Sequence, residues 1–324
     1  MTLMTSVFKG SNKYGVLNVE KASSLLTSET SEVNKGKLAR LLTDVKSLTK
    51  MVVLILNVLP VFTGFWLATY FTGTSITANA DLFLLTIVGS TLVMAGALMF
   101  NNWYEVDLDV EMKRTQSRPT VTGNISLPVV LGLSIGTTVI GFIMLLFTSM
   151  EATLYAFVGW FTYVVLYTLW TKRRYTLNTI VGSLSGAVTP LIGWSAIDSA
   201  IHVVPMIMFL LLFIWQIPHT FAIAMRRYDE YKAAGVPMLP VVQGFKMTKR
   251  QTVIYMACLL PLPLYLTSLG LPFVIIISLI NLAWLAVGIS GFYMKDDLKW
   301  ANIVFKTSLY YLMAFFMLMI VFTL

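Results

Sequence analysis

Runs of about 20 apolar residues recur from residue 51 almost to residue 324, each long enough to cross roughly 30 Å of hydrocarbon at 1.5 Å per residue. No other feature constrains the fold as strongly. Inside lipid the backbone must satisfy its own hydrogen bonds, so such runs are helices rather than open strands. The pattern predicts an all-α membrane protein with nine transmembrane helices over 51–72, 82–103, 126–148, 152–170, 177–197, 203–225, 252–270, 272–293 and 301–323. The connections at Glu151 and Leu271 are very short, and Pro218, Pro261 and Pro263 are expected to kink their spans. Composition agrees: 57% of the 324 residues are hydrophobic and 12% charged, against roughly 25% charged in a soluble domain. A water-soluble surface cannot be built from so few charges.

The charges orient the chain. All 23 Lys and Arg lie in 1–50, 104–125, 171–176, 226–251 and 294–300, except Lys306 near the inner end of the last span. The opposite connections carry only acids: Asp81, Glu151 and Asp198. This is the positive-inside pattern. It places the N-terminus in the cytoplasm and the C-terminus outside, and it explains the net charge of +8 without nucleic acid. Cys258 is the one cysteine, which excludes an internal disulfide and a thiolate metal site.

The first residues are polar and lack the apolar core of a signal peptide. Glu20, Glu29, Glu32 and Asp44 argue against a mitochondrial transit peptide, favouring a bacterial plasma membrane. Residues 1–45 read as a flexible cytoplasmic segment, with an amphipathic helix near Leu38–Leu48. Lys9, Lys13, Lys21, Lys35 and Lys37 suit an anionic leaflet. Residues 46–324 then form a single nine-helix domain.

Chemistry-bearing residues gather on the cationic side. The first segment contains Asn101, Asn102, Glu105, Asp107 and Asp109, then Lys113, Arg114 and Arg118. If the second helix continues through it, Asn102, Glu105 and Asp109 fall within about 60° of one another, with Asp107 off that face. An amide and two carboxylates offer the hard oxygen ligands that Mg²⁺ shares with water and phosphate. Arg114 and Arg118, four apart, would grip phosphate as a fork. A solvated helix end with local Glu–Lys pairing also explains such a cluster. The second segment has Trp215, Gln216, Pro218 and His219, then Arg226, Arg227, Asp229, Glu230 and Tyr231. The third has Tyr167 and Thr168 before Lys172, Arg173, Arg174 and Asn178; a topogenic stop signal explains its cations equally well. The small residues Gly182, Ser183, Ser185 and Gly186 are expected at close helix packing. An intramembrane His such as His219 is a functional candidate, as haem ligand, proton carrier or hydrogen-bond donor, against a purely structural hydrogen bond. His202 reads as an ordinary interfacial residue. Acids and cations on one face of an apolar bundle suit Mg²⁺ and a diphosphate at the water boundary, with an apolar tail among the helices.

These residues carry a family resemblance. Asn-Asn-x-x-Glu-x-Asp-x-Asp from Asn101, with Lys113-Arg-Thr-x-x-Arg-Pro119, is similar to the first acidic motif of the UbiA-type intramembrane prenyltransferases. Tyr167-Thr-x-x-x-Lys-Arg-Arg-x-x-x-Asn178 and Gly182-x-x-x-Gly186-Ala-x-x-Pro190-x-x-Gly193-Trp194 resemble its middle signature. Trp215-Gln-x-Pro-His219 and Tyr231-x-x-Ala-Gly-Val-Pro-Met-Leu-Pro240 look like the third motif, in the branch acting on haem. The likeness covers roughly residues 45–320 and implies a nine-helix UbiA-type bundle.

It implies transfer of farnesyl from farnesyl diphosphate to a vinyl group of haem b, with addition of water, giving haem O and diphosphate. Asn102, Glu105 and Asp109 would hold Mg²⁺, and Asp229 and Glu230 would serve the second acidic motif. Arg114, Arg118, Lys172 and Arg173 would face the diphosphate and His219 the haem. Tyr167, Asn178, Trp215, Arg226 and Tyr231 complete the substrate-binding set. Two departures stand out. The superfamily favours Asp where this chain has Glu105. Its second motif spaces two Asp residues, whereas Asp229 and Glu230 are adjacent and point about 100° apart, so at most one is a direct ligand. Membrane lipid is the expected surrounding; a homo-oligomer and a haem A synthase or oxidase partner stay open. The rival readings are a prenyltransferase of a quinone precursor and a membrane transporter of haem or another small molecule. No clear inverted repeat supports the latter.

Overall fold

The computed structural model describes residues 39–324, and every regular element among them is helical. Residues 1–38 of the predicted flexible segment 1–45, with its lysines up to Lys37, lie outside the described residues. The predicted amphipathic helix is described over 39–48, where it is helical. Leu48–Leu324 form one compact unit.

The chain runs through α1 (Met51–Thr72), α2 (Ala80–Tyr104), α3 (Val106–Glu111) and a single turn at Pro119–Thr122. Next come α4 (Leu127–Leu146) and α5 (Met150–Phe161), which continues as a π-helix over Thr162–Thr171. There follow α6 (Asn178–Ala187), α7 (Thr189–Trp194), α8 (Val203–Arg226), α9 (Tyr228–Ala233) and α10 (Leu239–Cys258). The last two are α11 (Leu271–Ser290) and α12 (Asp297–Val321). Among the described residues seven helices are long and apolar enough to cross a membrane: α1, α2, α4, α5 with its π extension, α8, α11 and α12.

The other two predicted spans are helical but interrupted. Over 177–197 the helix breaks at Val188, because Pro190 occupies the first turn of α7 and cannot continue the preceding hydrogen-bond ladder. Over 252–270 the chain enters its helix earlier than predicted, at Leu239, with Gly244 at φ 74° breaking the winding. It leaves the α form at Cys258 and finishes in 3₁₀ turns at Leu262–Tyr265 and Thr267–Leu269, around Pro261 and Pro263. The Asn281 amide donates to the Leu259 carbonyl at this break (2.9 Å). Pro218, by contrast, lies inside the continuous α8.

Packing follows the small-residue logic of lipid, where backbones must approach closely to gain contact. A Cβ on Gly193 of α7 would lie 1.9 Å from the Val61 carbonyl oxygen of α1, and one on Gly64 would lie 2.2 Å from that of Pro190. Ser134 of α4 donates to the Gly96 carbonyl of α2 (2.8 Å). The largest core joins α8, α11 and α12 through Met208, Leu211, Phe273, Phe315 and Phe316. Leu133, Ile135, Val139, Ile140 and Ile143 stand outward on α4, an apolar face suited to lipid.

Candidate active site

The first acidic segment keeps its predicted face although the helix does not run straight through it. Glu105 takes φ −100°, ψ 20° and separates α2 from α3. The amides of Glu105 and Asp109 still donate to the carbonyls of Asn101 (3.0 Å) and Glu105 (2.9 Å), so the four-residue register survives the break. Asn102, Glu105 and Asp109 are therefore turned inward, at 0%, 2% and 3% exposure. Asp107 points away, its side chain 62% exposed.

Charges on the third segment meet these acids. Lys172, just past the π-helix, pairs with Glu105. Arg173 holds Asp107 with both nitrogens (2.6 and 2.8 Å) and lies over the Tyr104 ring. That hydrogen bond keeps the Asp107 carboxyl below the usual range, outweighing its burial. Burial works against the charge on Lys172, yet Glu105 and Tyr167 together hold its ammonium above the ordinary lysine range. Asn178 is buried and donates to the Lys172 carbonyl (3.3 Å), fixing the turn that presents the lysine. Tyr163 and Tyr167 stack at 5.7 Å, and Lys172 lies 5.6 Å from the Tyr167 ring centre.

The predicted arginine fork does not form. Met112 is extended (φ −99°, ψ 117°), so helical spacing does not apply between residues 114 and 118. Arg114 is exposed, whereas Arg118 is buried and pairs with Asp109 at 2.5 Å. Arg114 and Tyr231 nonetheless lie within electrostatic reach of Tyr167. The two acidic segments do meet: Leu108 and Met112 pack with Ala224, Val236 and Met238, and Tyr231 lies against that cluster. On α9, Asp229 is exposed, while Glu230 is partly buried and accepts from Arg227 (2.8 Å).

One residue of this cluster, Lys50, escaped the sequence reading. Lys50 is the one non-glycine residue with positive φ among those described, at φ 47°. Its ammonium donates to Asn101 (2.5 Å), whose amide donates to Thr168 (3.1 Å). Burial holds the Lys50 ammonium well below the lysine range; Arg118 and Lys172 push the same way, against Glu105 and Asp109. No local periodicity signals a contact between residues 51 positions apart.

A cavity of 330 Å³ opens beside this cluster. Lys50, Tyr163 and Tyr167 border it at the charged end; it continues between Leu98, Met94 and Val93 of α2 and Trp160 and Ala156 of α5. Ser90 and Ile192 also line it. The small residues Gly182 and Gly186, expected only to pack, also border it, as does Gly159. A Cβ at Gly186 would meet the Gln216 amide at 2.6 Å, so the glycine makes room for a polar group in the wall.

His219 lies on a different face. Trp215, His219 and Phe305 form a continuous stack, with centres 4.8 and 5.2 Å apart, and the Arg226 guanidinium lies 4.2 Å from the Phe305 centre. Trp215 donates to the Ser308 carbonyl of α12 (3.0 Å).

The oxygens suit a hard cation. The Asn102 side-chain oxygen, Glu105 Oε1 and Glu230 Oε2 are buried acceptors with no hydrogen-bond partner. Such orphaned acceptors are costly and uncommon, and carboxylate and amide oxygens are the donors that Mg²⁺ takes. Among the described residues no three His, Cys, Asp or Glu side chains form a metal cage on their own. A cation here must therefore draw on the Asn102 amide and on oxygens from water or substrate.

Residues 57–319 match the model of the UbiA prenyltransferase family. The chain is 52% identical over 304 residues to a protoheme IX farnesyltransferase of Oceanobacillus iheyensis, covering 94% of this chain and 97% of that one. It is 53% identical over 283 residues to a protoheme IX farnesyltransferase of Bacillus mycoides, covering 87% and 92%. In fold it is similar to a digeranylgeranylglyceryl phosphate synthase, with a TM-score of 0.70 at 18% identity over 87% and 98% of the two chains. A UbiA homolog from Archaeoglobus fulgidus bound to DMAPP and Mg²⁺ gives a TM-score of 0.65 at 17% identity over 85% and 99%.

Proposed function

This chain belongs to the UbiA prenyltransferase family, and from that premise we propose that it transfers a farnesyl group from farnesyl diphosphate to a vinyl group of haem b, with addition of water, giving haem O and diphosphate. It is a multi-pass α-helical membrane enzyme. The observation that carries the chemistry is the junction of two environments. Lys50, Tyr163 and Tyr167 border an apolar cavity and also belong to the buried charged cluster. One ligand fits both: a diphosphate among the cations, its hydrocarbon tail in the cavity.

The bond changes follow from the substrates. The vinyl electrons form a bond to farnesyl C1 as the C1–O bond to diphosphate breaks. Water oxygen adds to the carbon left cationic and releases a proton. Lys172, Arg118 and Lys50 hold the departing charge, assisted by Arg173 and Arg114. The apolar walls keep bulk water from the allylic cation. Asn102, Glu105 and Asp109 would hold a divalent cation, with Glu230 better placed than the exposed Asp229 to complete the set. That cation, Mg²⁺ by its preference for hard oxygen donors, supplies positive charge to the leaving diphosphate. Tyr231 closes the cluster from the second motif, Asn178 positions Lys172, and Trp215, His219 and Arg226 form the surface for haem.

In this reading residues 46–324 act as a single domain of nine membrane crossings, two of them interrupted helices. The distribution of Lys and Arg supports a cytoplasmic site in a bacterial plasma membrane, with the C-terminus outside. Diphosphate release tests the acceptor. With farnesyl diphosphate and Mg²⁺, release is expected to depend on haem b. Release driven equally by an aromatic quinone precursor would overturn the haem assignment, and no release with either acceptor would leave a carrier.

A further inference from the structure

The hydrogen bonds of Ser308 decide which nitrogen of His219 carries its proton. The Ser308 hydroxyl lies 2.7 Å from the Phe305 carbonyl, one helical turn back on α12. It also lies 2.7 Å from Nδ1 of His219 on α8. A hydroxyl has one proton and a carbonyl has none. If that proton turned toward Nδ1, two oxygens with no hydrogen between them would stand at 2.7 Å. The Ser308 proton therefore goes to Phe305, and the hydroxyl accepts from His219 Nδ1–H. A neutral imidazole then carries no proton on Nε2, which is left with a free lone pair.

The ring is also fixed in plane. Trp215 and Phe305 stack on its two sides, tilted 19° and 28° from it. Trp215 is itself tied to the Ser308 carbonyl, so one buried serine holds both the histidine and the indole beside it. The ring retains partial accessibility. Seven residues on, about two turns along the same face of α8, Arg226 lies against Phe305. That side of α8 thus carries an imidazole nitrogen without a proton, the edges of the two rings that flank it and a guanidinium at its end. Those features match an iron porphyrin: a metal at the centre, a flat apolar ring and carboxylates on one edge.

We propose that Ser308 is the positioning residue for haem, holding His219 in the tautomer whose Nε2 coordinates the haem iron. Metal-bound histidines depend on such an outer partner to fix tautomer and orientation. The proposal rests on the assignment of haem as acceptor and adds its point of attachment. It also excludes His219 as a hydrogen-bond donor through Nε2, since the ring's one N–H is already used.

The test is a haem titration of the purified full-length protein, read by absorption and electron paramagnetic resonance, beside a product assay. Wild type is expected to give a histidine-ligated haem spectrum. His219→Ala should lose that signature, and added imidazole should restore it. Ser308→Ala should weaken haem binding about 10–100-fold with an unchanged thermal midpoint, and Ser308→Thr, which keeps the hydroxyl, should stay close to wild type. A His219→Ala spectrum identical to wild type would overturn the iron contact. Ser308→Ala binding haem as tightly as wild type would overturn the positioning role. Wild type that makes the farnesylated product without a histidine-ligated spectrum would overturn this proposal alone. Wild type that neither binds nor alters haem would overturn the acceptor assignment with it.

Discussion

Lys172 and Glu105 form a largely buried ion pair that joins the π-helical end of α5 to the C-terminal end of α2. In the proposed site each half serves twice, once for the fold and once for the ligands. Breaking a buried pair from one side leaves a charge without compensation, at a cost of about 3–5 kcal/mol. Lys172→Ala is expected to lower the thermal midpoint and abolish turnover. The double variant Lys172→Met with Glu105→Leu should recover most of the stability and none of the activity. Thermal unfolding in detergent beside product formation separates the two, and a double variant as unstable as Lys172→Ala would refute the pairing argument.

In the proposed site the depth of the cavity limits the length of the prenyl chain. Ser90 lies eleven residues from Asn101 on α2, which at 1.5 Å per residue is about 16 Å deeper. Ser90→Trp is expected to fill that end and favour geranyl over farnesyl diphosphate. The ratio of kcat/KM for the two donors is the readout; an unchanged ratio would place the prenyl tail elsewhere.

Gly193 allows α7 to lie against α1. An added Cβ meets the Val61 carbonyl oxygen at 1.9 Å, and backbone cannot yield as a flexible side chain does. Gly193→Ala is expected to cost about 1–3 kcal/mol or more, the usual range for overpacking. The midpoint of thermal unfolding should fall, whereas Gly132→Ala, where an added Cβ meets nothing within 4 Å, should leave it in place.

Ligand linkage tests the metal assignment without turnover. A ligand bound only to the folded state raises stability by RT ln(1 + L/Kd), where L is the free ligand concentration. Mg²⁺ with inorganic diphosphate is expected to raise the thermal midpoint of wild type and not that of Glu105→Gln. EDTA should reverse the wild-type shift. An equal shift in both proteins would remove Glu105 from the metal site.

Much of this molecule can be read from local pattern. Apolar run length locates the seven long helices within a few residues, and the four-residue register places Asn102, Glu105 and Asp109 on one buried face with Asp107 outside it. That register survives the break at Glu105 because the backbone bonds on either side persist. The failures share one cause. The Arg114–Arg118 fork assumed a helix where Met112 is extended, the span near Val188 assumed continuity across Pro190, and the kink expected at Pro261 is a full exit from the α form. Contacts distant in sequence left no periodic trace: Lys50 with Asn101, Asn101 with Thr168, and Ser308 with His219. The π winding of Thr162–Thr171, which carries Tyr163 and Tyr167 to the cavity mouth, likewise has no signature in composition.

The most direct test of the central claim is the mass of the porphyrin product. Purified protein would receive haem b, farnesyl diphosphate and Mg²⁺, in parallel with a variant carrying Glu105→Gln and Asp109→Asn. The account predicts a porphyrin heavier by one farnesyl group and one water, with formation reduced on the order of 100-fold or more in the variant. Full product from the variant would contradict the placement of the site, and unchanged haem b from folded wild type would contradict the reaction itself.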